Sequence, residues 1–490
     1  MKPRHIVFFI LGCIACLALI SLLFPDEGIT IGDNRLRWPS LKEVLYDEPL
    51  PNCQSLDTGI YVPNEAADIV VCEPPVQEIP SQPSQPATTA PKAPVQTQSA
   101  EPAIEPILTD SDYTDSVFYA CLAPFYEALR HTDSVAVRVV HYGDSQIEGD
   151  RITMNLRRHL QEICGGGGVG LIPLHQTIGM RTLSQSLKMD GVPQSVGEGP
   201  KRYLVYGPAS NRRDNTTYGP LGQVAMMNDS LRHGSERMSL SIAPMGNEKY
   251  SERYFNRMRI LYAGNLQISV NGQPAEGGYT RGTFHNRICT LPDSTTRCTV
   301  ELTGQGEVYG LSVETDRGVQ ADNIPMRGCA GTVLTNISHN ELTEYFQSVN
   351  ARLIILQFGG NVVPYSHNTT DIQRYAERIR AQIRYLKTCA PEAAILFIGP
   401  SDMQTSLDGH KTTYPIIPIM DKILRRTAAE EQIAYWSLYE AMGGRNSMSS
   451  WQQRGWAGSD GIHFTRKGAE QTGEKLWLWL KDGLDRQTKE

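Results

Sequence analysis

The chain has 490 residues, 40% of them apolar and 20% charged, which is enough to build real cores and too much for one ordinary compact domain. A net charge of −7 and a pI near 5.9 argue against nucleic acid as the main partner, because phosphate binding needs a basic footprint. No HExxH or comparable metal-ligand spacing occurs, so neither a metal nor another cofactor is expected.

At the N-terminus, Ile6 to Phe24 form 19 consecutive residues without a charge, close to the ~20 that span a bilayer. Lys2 and Arg4 precede this run and Asp26 and Glu27 follow it, which orients the N-terminus toward the cytoplasm. A secretory signal would have a shorter apolar stretch, ~7–15 residues, and a clear small-x-small cleavage site. Residues 1–25 therefore read as a single-pass anchor in the cytoplasmic membrane, with residues 6–24 in the bilayer and everything beyond them periplasmic or otherwise extracytoplasmic. Cys13 and Cys16 fall inside the anchor, so their CxxC spacing is neither a redox nor a zinc motif. The other eight cysteines would face an oxidising compartment. Cys289 with Cys298, and Cys53 with Cys72, are candidate pairs, although connectivity cannot be deduced from spacing.

Residues 26–107 read as a linker. Between Pro74 and Pro106 there are nine prolines in 33 residues, a composition that favours extended, polyproline-like chain. Folded chain is expected from 108. The β-rich run Ser134–His141 ends at Gly143-Asp144-Ser145, and Ile152, Leu156, Leu160 and Ile163 then recur at helical spacing until Gly165 to Gly168 stop the helix. Ala351–Phe358 and Ala394–Ile398 are apolar runs of the kind found in buried parallel strands. Helices are predicted around 372–386, 416–431 and 467–484, and a short strand around 433–437. Alternating strands and helices predict a doubly wound α/β sheet.

The pattern changes between 201 and 318. Short strand-like runs at 238–242, 257–262, 266–270, 298–302 and 308–313, with an Asn271-Gly272 hairpin signal, predict an inserted all-β sandwich. The α/β domain would then comprise 108–200 and 319–490. Because the insert separates two functional blocks, its ends are expected near the active-site edge of the sheet, where it would form a wall of the cleft.

Four stretches carry the chemistry. Ser145 stands between a strand and a helix, at the carboxyl edge where doubly wound sheets bind ligands. Asp460-Gly-Ile-His463 offers a base and a carboxylate that could orient it, which a serine hydroxyl needs before it can attack. Asn361, in Gly359-Gly360-Asn361, could donate its side-chain amide to an oxyanion. Gly331, or alternatively Gly328, would let a backbone N–H approach a substrate closely. Each of these, taken alone, also reads as an ordinary cap, turn or loop residue. No GxSxG is present, which disfavours the α/β-hydrolase elbow.

Together, and in this order, the four blocks resemble the SGNH, or GDSL-like, hydrolase superfamily. The resemblance implies a flavodoxin-like parallel sheet, Ser145 as nucleophile, His463 as base and Asp460 as its orienting partner. It also implies an oxyanion hole made by the amides of Ser145 and Gly331 and the side chain of Asn361. The chain departs from the family pattern in Gln146, where Leu is usual, and in Met326-Arg327, where an Asn often precedes the glycine. The layout of insert and anchor is similar to that of bacterial peptidoglycan O-acetylesterases, whose insert resembles a carbohydrate-binding module. The function implied is removal of O-acetyl groups from an O-acylated envelope glycan. An O-acetyltransferase using the same residues, or a glycan-binding protein without activity, are the alternatives. Trp451 and Trp456 read either as sugar-stacking residues or as packing residues.

Overall fold

The computed structural model describes residues 29–31, 34–36, 114–190, 199–213, 218–227, 237–245, 249–407 and 409–487. The expected anchor at 6–24, the proline-rich stretch, and Cys53 and Cys72 lie outside the described residues. Among the described residues, no helix is long and apolar enough to cross a membrane. The chain divides into two units, residues 1–60 and 61–490. In the first, Ile29–Ile31 pairs antiparallel with Asn34–Leu36. All that follows concerns the second.

Its centre is a five-stranded, all-parallel sheet. In chain order the strands are β1 (Ala136–Gly143), β2 (Gly318–Pro325), β3 (Ala351–Gln357), β4 (Ala394–Ile398) and β5 (Ala434–Trp436). The spatial order is β2-β1-β3-β4-β5, the doubly wound arrangement whose direction of winding reverses between β1 and β3. The strands are buried almost throughout, as expected when helices cover both faces. The connecting helices are α1 (Thr153–Cys164), α2 (His339–Ser348), α3 (Thr369–Cys389) and α4 (Ile417–Glu430), and the closing helix is α5 (Arg466–Gln487). The α/β expectation is met, with predicted elements displaced by only a few residues. The pattern does not announce β2, because Gln320, Asp322 and Asn323 break its apolar run although all three are buried.

The second body of structure is a ten-stranded antiparallel sheet. Two long strands, Arg257–Val270 and Cys298–Glu314, form its spine and pair over nearly their whole lengths. Each merges two runs that the sequence reading kept apart. Hydrogen bonding thus joins the strands into one sheet, where a sandwich of separate sheets was expected. At the end of the first spine strand, Asn271 (φ 52°) and Gly272 (φ 78°) make the tight turn that their residue types require. The antiparallel sheet also begins earlier than expected: Gly170–Ile172 and Leu183–Met189 already belong to it. Cys289 and Cys298, proposed as a pair, are both buried free thiols.

The ends of the insert correct a further expectation. The chain climbs β1 to the site edge and descends α1 before the insert begins, and it re-enters the parallel sheet at Gly318, beside Ala136 at the start of β1. Both covalent connections therefore lie at the edge opposite Ser145. The antiparallel part regains the site edge at more than one point: the Arg181 amide donates to the Gly149 carbonyl (3.2 Å), Thr182 donates to Asp150 (2.7 Å), and at the 218–222 turn the Tyr142 hydroxyl donates to the Pro220 carbonyl (2.9 Å).

Buried charge joins the two sheets. Arg138 on β1 donates to Asp322 on β2 (2.7 Å) and to Ser312 (3.1 Å), and it pairs with Glu314 on the long antiparallel strand. Arg259 on the other spine strand binds Glu314 through two nitrogens (3.0 and 2.8 Å) and Asn286 through a third (2.9 Å). Asp322 also accepts from the Leu171 amide (2.8 Å) and from the Tyr345 hydroxyl of α2. All four ionic side chains are at most 5% exposed. Burial opposes charge on Glu314, but Arg259 and Arg138 outweigh it and hold the carboxyl at about 2. Removing one member of such a network strands the others without water. We predict that Glu314→Ala destabilises the fold by about 3–5 kcal/mol. Urea denaturation checks this, and a change below about 1 kcal/mol, the scale of an exposed pair, would contradict it.

Candidate active site

The site lies at the carboxyl edge of the parallel sheet, on either side of the reversal between β1 and β3. The Asp144 amide donates to the Gln357 carbonyl at the end of β3 (3.3 Å), which carries the strand pairing into the site. Ser145 opens a short 3₁₀ turn, Ser145–Asp150, capped by the Asp144 carboxylate, which accepts from the Gln146 amide (2.9 Å). Asp150 ends the turn in the left-handed region (φ 64°), a costly conformation for a residue with a Cβ. It is held there by two hydrogen bonds from Arg157 on α1 (2.6 and 3.0 Å) and one from Thr182 (2.7 Å). The turn that presents Ser145 is thus fixed from behind by a buried ion pair.

His463 comes from the loop ahead of α5. Its Nε2 lies 3.0 Å from Ser145 Oγ, and its Nδ1 lies 2.7 Å from Asp460 Oδ2. Asp460 Oδ1 accepts from the backbone amides of Ile462 and His463, both at 3.0 Å. Burial disfavours charge on Asp460, yet these two amides and the imidazole hold its carboxyl below the usual carboxylate range. An ionised Asp460 selects the tautomer with hydrogen on Nδ1, leaving Nε2 free to accept the serine proton. The three residues that the sequence singled out therefore form one hydrogen-bonded chain, although 318 residues separate Ser145 from His463.

Asn361 follows β3 and reaches back toward β1. Its Nδ2 donates to Asp144 Oδ2 (3.1 Å) and to the Cys329 carbonyl (3.2 Å), so both its N–H bonds have protein acceptors. That second contact ties Asn361 to the glycine loop, which Tyr375 also holds through the Ala330 carbonyl (2.8 Å). Gly331 has φ 80°, and a Cβ there would lie 2.5 Å from the Phe358 ring, so two independent constraints demand glycine. The Gly331 amide contacts Cys329 Sγ at 3.3 Å, a weak acceptor that a stronger one could displace. Gly328 also has positive φ (72°).

Trp451 is a packing residue. It is 1% exposed, donates to the Met442 carbonyl (3.0 Å) and packs against Phe464 beneath the His463 loop. Trp456 meets it edge-on and carries the Arg454 guanidinium over its ring. Asp144 escaped the sequence reading as anything more than part of a tripeptide. Burial raises its carboxyl to about 6, against the opposing effects of the Gln146 amide and His463.

A raised folded-state pKa means that the associated stability is present below the unfolded value and is lost as pH rises through the folded one. Wild type should therefore lose stability relative to Asp144→Asn between pH 4 and about 6, by roughly 1–3 kcal/mol, and level off above that. Thermal melts of both proteins across this range check the prediction, and a wild type that gains stability relative to Asp144→Asn as pH rises would refute it.

The comparisons with known proteins agree with this architecture. The profile of the GDSL-like Lipase/Acylhydrolase family matches residues 293–471, a stretch that contains Gly331, Asn361, Asp460 and His463 but not Ser145. No curated protein matches the chain. Among solved structures, a peptidoglycan O-acetylesterase is similar over 76% of this chain and 98% of its own, at 21% identity and a TM-score of 0.58. A carbohydrate acetylesterase from Sinorhizobium meliloti is similar over 34% of this chain and 79% of its own, at 13% identity and a TM-score of 0.26. The periplasmic domain of a lipopolysaccharide acetyltransferase from Salmonella ser. Paratyphi A is similar over 33% and 80%, at 16% identity and a TM-score of 0.24. Residues 293–471 thus match the GDSL-like Lipase/Acylhydrolase family, and the fold of the chain resembles that of a peptidoglycan O-acetylesterase.

Proposed function

We propose that this protein is a membrane-anchored, extracytoplasmic serine esterase that removes O-acetyl groups from a cell-envelope glycan such as peptidoglycan. The observation that carries the reading is the relay from Ser145 Oγ through His463 to Asp460, with separations of 3.0 and 2.7 Å, at the carboxyl edge of the sheet. In this mechanism His463 Nε2 takes the serine proton as Oγ attacks the ester carbonyl. The same proton then passes to the departing sugar hydroxyl, leaving an acyl-serine. His463 next deprotonates a water that attacks the acyl carbon, releasing the acid and restoring the serine. In this reading the Ser145 and Gly331 amides donate to the oxyanion, which forms only in the transition state, and Asn361 joins them by turning one N–H away from Asp144 or the Cys329 carbonyl, its acceptors in the resting site.

The glycan assignment draws on the likeness to a peptidoglycan O-acetylesterase over nearly all of that protein's length. The anchor at 6–24 would hold the enzyme at the membrane that faces such a substrate.

Ser145→Ala should keep the fold, because the side chain contributes one hydrogen bond at a partly buried position. It should retain less than about 1% of activity, given losses of ~10³ or more for such residues. His463→Ala should be equally damaging and Asp460→Asn somewhat less so. Asn361→Ala should lower kcat about 10²–10³-fold with little change in KM. Acetate release from O-acetylated peptidoglycan, acetylated xylan and a chromogenic acetate ester measures all of these. Full activity in Ser145→Ala would remove the serine mechanism, and indifference to peptidoglycan would remove the substrate. Transfer to a sugar acceptor without free acetate would make the enzyme a transferase.

A further inference from the structure

We infer that Gln146, assisted by Arg151, is a positioning residue that sets the distance between Ser145 and His463; this inference rests on the serine mechanism proposed above. Gln146 stands where the superfamily usually has an apolar residue, and it is 8% exposed. Its side chain is not spent on its own turn. Nε2 donates to the Ile462 carbonyl (2.8 Å), and Oε1 accepts from the Phe464 amide (3.4 Å). These are the backbone groups on either side of His463. The Gln146 amide therefore acts as one rung of a β-ladder, closed against the two peptides that flank the base.

Arg151, at the far end of the same turn, makes a second bridge. One guanidinium nitrogen donates to the Ser145 carbonyl and another to the Phe464 carbonyl (3.3 Å). The backbone that carries the nucleophile and the backbone that carries the base are thus cross-linked twice, by side chains within six residues of Ser145. The loop also has its own support: the Gly458 amide binds the His463 carbonyl (2.8 Å), Phe464 bridges Ala457, and the Gly461 carbonyl accepts from Gln404 (2.9 Å). Those contacts shape the loop. Among the described residues, the Gln146 and Arg151 bonds are the ones that tie its backbone to the serine turn.

The need for such a tie is geometric. Proton transfer requires the base within about 2.6–3.2 Å of the hydroxyl, and a misplacement near 1 Å costs about 10²-fold in rate. Two loops 318 residues apart, each anchored only to its own strand or helix, do not hold that tolerance by themselves. A primary amide suits the task because it presents one donor and one acceptor at fixed spacing. Leucine, usual at this position, could do neither.

The test uses the intact protein and the chromogenic acetate ester. Gln146→Met keeps length and apolar bulk but removes both hydrogen bonds. We expect kcat to fall about 10–100-fold with KM within twofold of wild type, measured well below the melting temperature. The rate of Ser145 labelling by a fluorophosphonate, which needs the same activated serine but no substrate pocket, should fall in parallel. A purely structural Gln146 would lower the melting temperature and leave kcat and the labelling rate within twofold of wild type, and that result overturns the inference. If Gln146→Met does not yield folded protein, Gln146→Glu, which keeps the acceptor for Phe464 and loses the donor to Ile462, is judged by the same criteria. Ser145→Ala separates the two readings. An active Ser145→Ala removes the serine mechanism and this inference with it, whereas an inactive Ser145→Ala beside a fully active Gln146→Met removes the inference alone.

Discussion

Arg138 and Glu314 meet where water is absent, and the rest of the molecule is organised around that meeting. Arg138 lies on β1, the strand that delivers Ser145, and Glu314 lies on the antiparallel sheet. Two guanidinium groups and two carboxylates balance there, with Ser312, Asn286, Tyr345 and the Leu171 amide supplying the remaining hydrogen bonds. A buried charge survives only with its partners in place, so neither sheet can separate from the other without exposing an uncompensated ion. The antiparallel sheet is for this reason part of one folded body with the hydrolytic sheet, even though it enters the chain as an insertion. The cost of this design is polar sequence inside a strand: β2 carries Asp322 where its neighbour β1 carries Val140.

The same logic recurs behind the serine. Asp150 occupies a left-handed conformation that a residue with a Cβ avoids, and Arg157 and Thr182 hold it there. Strain of that kind persists only where the surroundings over-determine it. Here it turns the chain sharply after β1 and brings Ser145 to face a histidine from the far end of the sequence. Asp144 adds a second unfavourable element, a buried carboxylate whose pKa is raised toward neutrality, set between the serine turn and Asn361. The elements that build the site are individually costly and are stabilised by buried arginines and by backbone amides.

Topology explains why these residues converge. In the order β2-β1-β3 the segments leaving the first three strands must emerge side by side at one edge, and they carry Gly331, Ser145 and Asn361 respectively. His463 arrives separately, on the loop before α5, and is joined to the serine turn by side chains rather than by the sheet. The insert leaves and re-enters at the opposite edge, because the helix that follows β1 returns the chain to the start of the strands. This arrangement keeps the site edge free of the insert's covalent connections and returns to it the Arg181–Thr182 segment and the 218–222 turn.

Short-range pattern alone determined the α/β class, the four site blocks and most helix and strand positions. Hydrophobic period and strand-end glycines are local signals, and α3, α4, β3 and β4 display them without interference. The identities of Ser145, Asp460, His463, Asn361 and Gly331 were legible for the same reason, since each sits in a compact block at a strand end. Tertiary structure decided what depends on residues far apart. β2 was invisible because Asp322, in the middle of it, finds its partners in Arg138 and the Leu171 amide, more than a hundred residues away. The start of the antiparallel sheet at Gly170, its continuity, the free state of Cys289 and Cys298, and the burial of Trp451 all follow from packing that no local window contains. Gln146 and Arg151 belong to this class as well. In sequence they are an atypical residue and an ordinary surface-type cation beside a serine, and only folding brings the peptides flanking His463 within their reach.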